Sequence, residues 1–87
     1  MDYKITFAKR AEKDYELVKR SPLAKKAKKI LSDIKKDPYA PPLEELSGNL
    51  KGAYSKRLNL KHRIVYEIFD SERAVKILSM WTHYENI

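Results

Sequence analysis

Three of the four prolines and both glycines of this 87-residue chain fall in one stretch, DPYAPPLEELSGNLKG, at residues 37 to 52. Proline lacks the amide hydrogen that helices and ladders need and glycine weakens both, so this stretch breaks any preceding helix and forms an irregular connection. Connections of a dozen or more residues are uncommon in a small domain and tend to carry function. The stretch leaves two flanking segments to be regular, and their hydrophobic periods differ.

Before the break, YKITF at residues 3 to 7 alternates Tyr3, Ile5 and Phe7 against polar neighbours, the period of a strand with one buried face. From Ala8 the period changes. Ala8, Ala11, Tyr15 and Val18 recur at three and four residues, which predicts a helix ending near Lys19 or Arg20. A second helix follows in SPLAKKAKKILSDIKK, with Ser21 as N-cap, Pro22 at the first helical position and Leu23, Ala27, Ile30, Leu31 and Ile34 as its apolar stripe. Its other face carries Lys25, Lys26, Lys28, Lys29, Lys35 and Lys36, which reads first as a solvated face whose stems shield the stripe.

After the break come AYSKRLNL, HRIVYEIF and AVKILSMW, rich in β-branched, aromatic and leucine residues and joined by KH and DSER. They predict a three-stranded antiparallel meander. The whole is a single α+β domain over residues 1 to 87, with both helices on one face of the sheet.

Nineteen Lys and Arg against twelve Asp and Glu leave a charge of +7, which favours a polyanionic or acidic partner: RNA, DNA, an acidic peptide or an anionic membrane. The absence of cysteine removes disulfides, thiol nucleophiles and thiolate metal sites, and two histidines do not make a His-rich metal centre, so no metal or other cofactor is expected. No apolar run approaches the roughly 18 residues of a membrane span. The N-terminus does not resemble a secretory signal, and a cytoplasmic location is expected.

Strand alternation then suggests chemistry. If Ile64, Tyr66 and Ile68 face the helices, Arg63 points to the open face, and Arg57, out of phase with Leu58 and Leu60, shares it. Two guanidiniums on one face make a phosphate site. The last strand ends in Trp81, His83 and Tyr84, offering an imidazole and rings on which a base can stack. The loop supplies Glu44 and Glu45. These are the parts for cutting RNA without a metal: a base for the ribose 2′-hydroxyl, a cation for the phosphate charge and an acid for the leaving 5′-oxygen. Plainer readings stand beside each one: His83 as terminal packing, Glu44 as a solvated carboxylate, Arg63 paired with Glu67 or Asp70, Tyr54 and Tyr66 as packing residues, and His62 as a surface turn residue.

The same residues carry a resemblance. Asp14 and Tyr15 in the first helix, the P-L-E-x-L loop, G-x-Y-S-K-R, H-R-I-V-Y and the terminal H-Y resemble, in order and spacing, the YoeB/Txe toxins, a branch of the RelE-like bacterial toxins. The resemblance implies a RelE-like fold and a ribosome-dependent mRNA interferase that cuts message in the ribosomal A site. It also implies a cognate Phd/YefM-like antitoxin, with mRNA and ribosomal RNA as further partners, and is compatible with a homodimer. By motif position it makes Glu44 the base, Arg63 the phosphate-stabilising arginine and His83 the acid, with Tyr84 helping to hold substrate. Lys56 and Arg57 become a basic pair suited to RNA backbone. Trp81 stands where relatives often carry a basic residue, and is assigned to RNA contact. Two competing readings are a ParE-like toxin that poisons DNA gyrase and a non-catalytic RNA-binding module using the lysine face.

Overall fold

The computed structural model describes residues 2–46 and 52–81. Among them the chain forms strand β1 (Lys4–Phe7), helices α1 (Lys9–Lys19) and α2 (Ala24–Lys36), then strands β2 (Glu44–Glu45), β3 (Ala53–Arg57), β4 (Arg63–Phe69) and β5 (Ala74–Ser79). The five strands make one sheet in the order β1-β5-β4-β3-β2. The meander β3-β4-β5 is antiparallel as expected, and β1 joins its far edge parallel to β5, with Ile5 beside Val75 and Phe7 beside Ile77.

Two expectations are corrected. The proline-rich stretch is not wholly irregular, because Glu44 and Glu45 pair with Ser55 and Tyr54 and close the other sheet edge as β2. Helix α2 begins at Ala24 rather than at Pro22. Ser21 is drawn into the end of α1 instead: its hydroxyl donates to the Val18 carbonyl at 2.7 Å and accepts the Leu23 amide at 3.1 Å, so it caps the turn between the helices. The first helical bond of α2 runs from the Ala27 amide to the Leu23 carbonyl.

Both helices cover the face of the sheet that carries Leu58, Ile64, Tyr66, Val75 and Ile77, all without solvent exposure, and seal it with Ala11, Val18, Ala27 and Ile34. Each such side chain contributes about 1.5–3 kcal/mol of transfer free energy if Val-sized or larger. The opposite face is not bare. Leu46, Ala53 and Val65 form a smaller buried cluster there, with Leu78 packed against it.

The segment between α2 and β2 is tightly determined despite its composition. The Tyr66 hydroxyl donates to the Pro38 carbonyl at 2.8 Å, and those of Tyr39 and Tyr3 donate to the Asp70 carboxylate at 2.5 and 2.9 Å. Tyr39, Tyr54 and Tyr66 make successive ring contacts beneath it. Aromatic area, the buried Tyr66 bond and the exposed Tyr39 and Tyr3 bonds here replace the ladder that three prolines forbid.

Candidate active site

The register places the chemistry. Arg57 and Arg63 are direct partners across β3 and β4, so both guanidinium-bearing side chains leave the sheet on the face away from the helices. Glu44 is the partner of Ser55, in phase with Arg57, and so shares that face; Glu45 partners Tyr54 and belongs to the other. Alternation along a two-residue strand thereby separates the two adjacent glutamates.

Like charges directly opposite on neighbouring strands are destabilising. Here one carboxylate answers the pair: the Arg63 guanidinium donates to Glu44 Oε1 at 2.5 Å, across the width of β3. The Arg63 side chain is 17% exposed and that of Glu44 is 57% exposed, so the ion pair is open to solvent on its carboxylate side. An ion pair so exposed is worth about 0–1 kcal/mol. A bond of that size adds little to the fold and leaves both groups open to exchange of partners.

Arg63 pairs with Glu44 rather than with Glu67 or Asp70. Glu67 stands opposite Lys76, and Asp70 accepts the two tyrosine hydroxyls, which hold its carboxyl below the usual carboxylate range. The largest contribution comes from Tyr39, whose hydroxyl is in turn pushed up to about 12. Glu44, Arg57 and Arg63 line an open cleft of about 740 Å³ together with Lys56, Pro41, Pro42 and Ile30 of α2, so the cleft takes in residues from both sides of β3.

Lys56 is placed differently from its neighbour. Its side chain runs to the helix-covered side of β3, the residue is only 8% exposed, and its ammonium donates to the carbonyls of Ala40 at 2.6 Å and Pro42 at 2.9 Å. Burial pushes the ammonium below its ordinary value, with Asp33 and Asp37 acting in the other direction. Arg57 is exposed.

Strand β5 ends at Ser79, short of the Trp81 end expected for the last strand, and His83 and Tyr84 lie outside the described residues. Trp81 is described, and its ring stacks on His62 with centroids 4.1 Å apart and planes 17° from parallel. His62 is therefore buried beneath an indole rather than on the surface as the turn position suggested. One residue earlier, the Met80 amide donates to the buried Asp14 carboxylate at 3.1 Å. Asp14 and His62 thus anchor the chain just before His83 and Tyr84. Neither role was read from the sequence, although Asp14 falls in the buried phase of α1 between Ala11 and Val18, and His62 shares the parity of Ile64 and Tyr66. That parity also holds Lys56 between Tyr54 and Leu58.

The profile of a family described as the YoeB-like toxin of bacterial type II toxin-antitoxin systems matches residues 7–84. The chain belongs to the YoeB toxin family. A toxin YoeB of Synechocystis is 34% identical over an alignment that takes in 94% of this chain and 98% of that one. Among solved structures, a YoeB/ParE toxin from Agrobacterium tumefaciens superposes with a TM-score of 0.85 at 26% identity, covering 93% of this chain and 99% of that one. The toxin of a YoeB-YefM complex from Staphylococcus aureus does so with a TM-score of 0.79 at 33% identity, covering 94% and 98%. The YoeB family membership makes this chain a toxin of a toxin-antitoxin system, and its α+β architecture is that of the YoeB and RelE-like toxins. Among the described residues, no helix is long and apolar enough to cross a membrane.

Proposed function

We propose that the toxin is a ribosome-dependent endoribonuclease that cuts mRNA in the A site without a metal. The observation that carries this reading is the Glu44–Arg63 pair beside Arg57 in the lining of an open cleft. A phosphodiester entering there competes with Glu44 for Arg63, because a dianion-like transition state binds a guanidinium more strongly than an exposed carboxylate does. Released from Arg63, Glu44 takes the 2′-hydroxyl proton while Arg63, with Arg57 beside it, stabilises the charge on the phosphate oxygens. His83 protonates the departing 5′-oxygen and Tyr84 steadies the substrate, which leaves a 2′,3′-cyclic phosphate and a 5′-hydroxyl. Trp81 supplies a ring near the RNA. Family membership and the charge of +7 support an RNA partner whose affinity falls steeply with salt.

A YefM-like antitoxin is the protein partner in this reading, supported by the complex that the Staphylococcus aureus relative forms. A YoeB dimer is known from the same organism, and a homodimer is proposed here on the same footing. The site of action is the cytoplasm.

A second reading, gyrase poisoning, draws on the Agrobacterium structure that carries both the YoeB and ParE names. One experiment separates the two. A defined message is translated in a reconstituted bacterial system with the toxin, Glu44→Gln and His83→Ala, and 5′ ends are mapped by primer extension. Cleavage within codons that requires ribosomes and falls about 10²- to 10⁴-fold in each variant supports the nuclease. Intact message together with gyrase-dependent DNA breaks would establish the other reading.

A further inference from the structure

Lys56 and Arg57 carry the same charge side by side, yet the two cannot do the same work. Lys56 is 8% exposed, and its ammonium is committed to two backbone carbonyls, those of Ala40 and Pro42, at 2.6 and 2.9 Å. Those carbonyls, four and two residues before Glu44, belong to the segment that leads into β2. Prolines at 41 and 42 have no amide hydrogen to bind this segment to the sheet, so it has few ways of its own to be held. A buried ammonium with three donors is suited to gather two carbonyls that point inward.

The other end of the same segment is the ion pair. Glu44 reaches Arg63 across β3, the strand on which Lys56 itself sits. A single strand therefore sends Lys56 to one side to hold the loop and leaves the other side for the carboxylate that the loop delivers. Position matters here, because a displacement of about 1 Å at a reacting group can cost about 10²-fold in rate.

We propose that Lys56 is a positioning residue: it fixes the Ala40–Pro42 backbone so that Glu44 is delivered to Arg63, and it does not contact RNA phosphate. The proposal rests on the nuclease reading only where Glu44 is taken as the base; the clamp itself is independent of it.

Lys56→Met keeps the length and apolar stem of the side chain and removes the ammonium. In the ribosome-programmed cleavage assay, the expected result is a fall of about 10- to 100-fold in the single-turnover rate at saturating toxin. The toxin concentration for half-maximal rate should stay within about threefold and the slope of log affinity against log salt should not change, whereas a phosphate contact would lower that slope by about one. In a Glu44→Gln background the same substitution should cost less than about threefold, because a misplaced base that is already inactive loses nothing more. A loss that persists undiminished in that background, or a weaker affinity with a shallower salt slope, overturns the proposal.

Amide hydrogen exchange on the free toxin gives an arm without RNA. Lys56→Met should speed exchange at Glu44 and Leu46, the amides of this edge that alternation turns toward β3, by at least about tenfold while β4 and β5 keep their protection. Unchanged exchange at those amides overturns the clamp whatever the RNA assay shows. Accelerated exchange in a toxin that cleaves no message sustains the clamp and removes the nuclease reading instead. If Lys56→Met does not fold, Lys56→Gln retains one donor group and carries the same readouts.

Discussion

The two sides of strand β3 show how one short sequence can serve stability and chemistry at once. Toward the helices stand Tyr54, Lys56 and Leu58, packed among Ile64, Tyr66 and Ile34. Away from the helices stand Ser55 and Arg57, beside Glu44 and Arg63. On the first side even a cation is desolvated and bonded to backbone; on the second the charged groups are partly exposed and their bond is weak. The difference teaches that charge alone does not mark a substrate-binding residue. What a cation can do follows from whether its donors are already used.

The largest expected effect tests the division itself. Arg63→Gln and Glu44→Gln should each lower message cleavage about 10²- to 10⁴-fold while changing the stability measured by urea denaturation by no more than about 1 kcal/mol. A large loss of stability in either variant would break the comparison, since it would make the face away from the helices structural as well. Ile64→Ala or Ile77→Ala, on the covered side, should lose about 2–5 kcal/mol in the same denaturation experiment, because each side chain is fully buried and leaves a cavity.

A smaller effect is expected at Tyr66→Phe, which keeps the ring and removes the bond to the Pro38 carbonyl. About 1–2 kcal/mol should be lost in urea, with the greater part due to the carbonyl left buried and unpaired. An unaffected stability would mean that ring packing alone secures the loop.

Asp70 ties that loop to the β4–β5 turn in a pH-dependent way. Its carboxyl is held down by the hydroxyls of Tyr39 and Tyr3, so its contribution is full above the unfolded value of about 3.9 and is lost as pH falls through the lower folded value. Tyr39 has the opposite sign: its hydroxyl is raised to about 12, so its contribution is full below the unfolded value near 10 and disappears as pH climbs toward about 12. Thermal melts of Asp70→Asn against the parent should therefore differ at neutral pH and converge at both extremes. A constant difference across the whole range would assign the effect to shape rather than charge.

The smallest change is predicted at Ser79→Ala. The Ser79 hydroxyl is buried without a hydrogen-bond partner among the described residues, so its removal should cost no more than about 0.5 kcal/mol and can be stabilising. A clear loss by calorimetry would mean that the hydroxyl is bonded in solution.

Much of this arrangement was legible beforehand, and particular residues show why. Arg57 and Arg63 were assigned to one face by counting alternate positions, and the strand register pairs them directly. Tyr66 was read as a packing residue and is fully buried. The reading failed where a side chain's neighbour is remote in sequence. His62 lies 19 residues from the indole that covers it, and Asp14 lies 66 residues from the amide that it accepts. Local pattern makes Ser21 the N-cap of α2, whereas its hydroxyl bonds the Val18 carbonyl and the Leu23 amide in the turn between the helices; both partners lie within three residues and local pattern does not rank them.

The amino-acid sequence by itself determined the elements: the period of two in β1 and the meander, the period near 3.6 in both helices, the break across residues 37 to 52, and the excess of positive charge. Those properties are local, since period and proline act within a few residues. Only the tertiary structure decided that β1 lies beside β5, that Glu44 and Glu45 become an edge strand, that Glu44 rather than Glu45 meets Arg63, and that Lys56 turns inward to the proline segment. Each of those outcomes depends on which sheet edge is available and where a long connection returns to it, and pairing across such distances is settled by packing of the whole core rather than by any neighbouring residue.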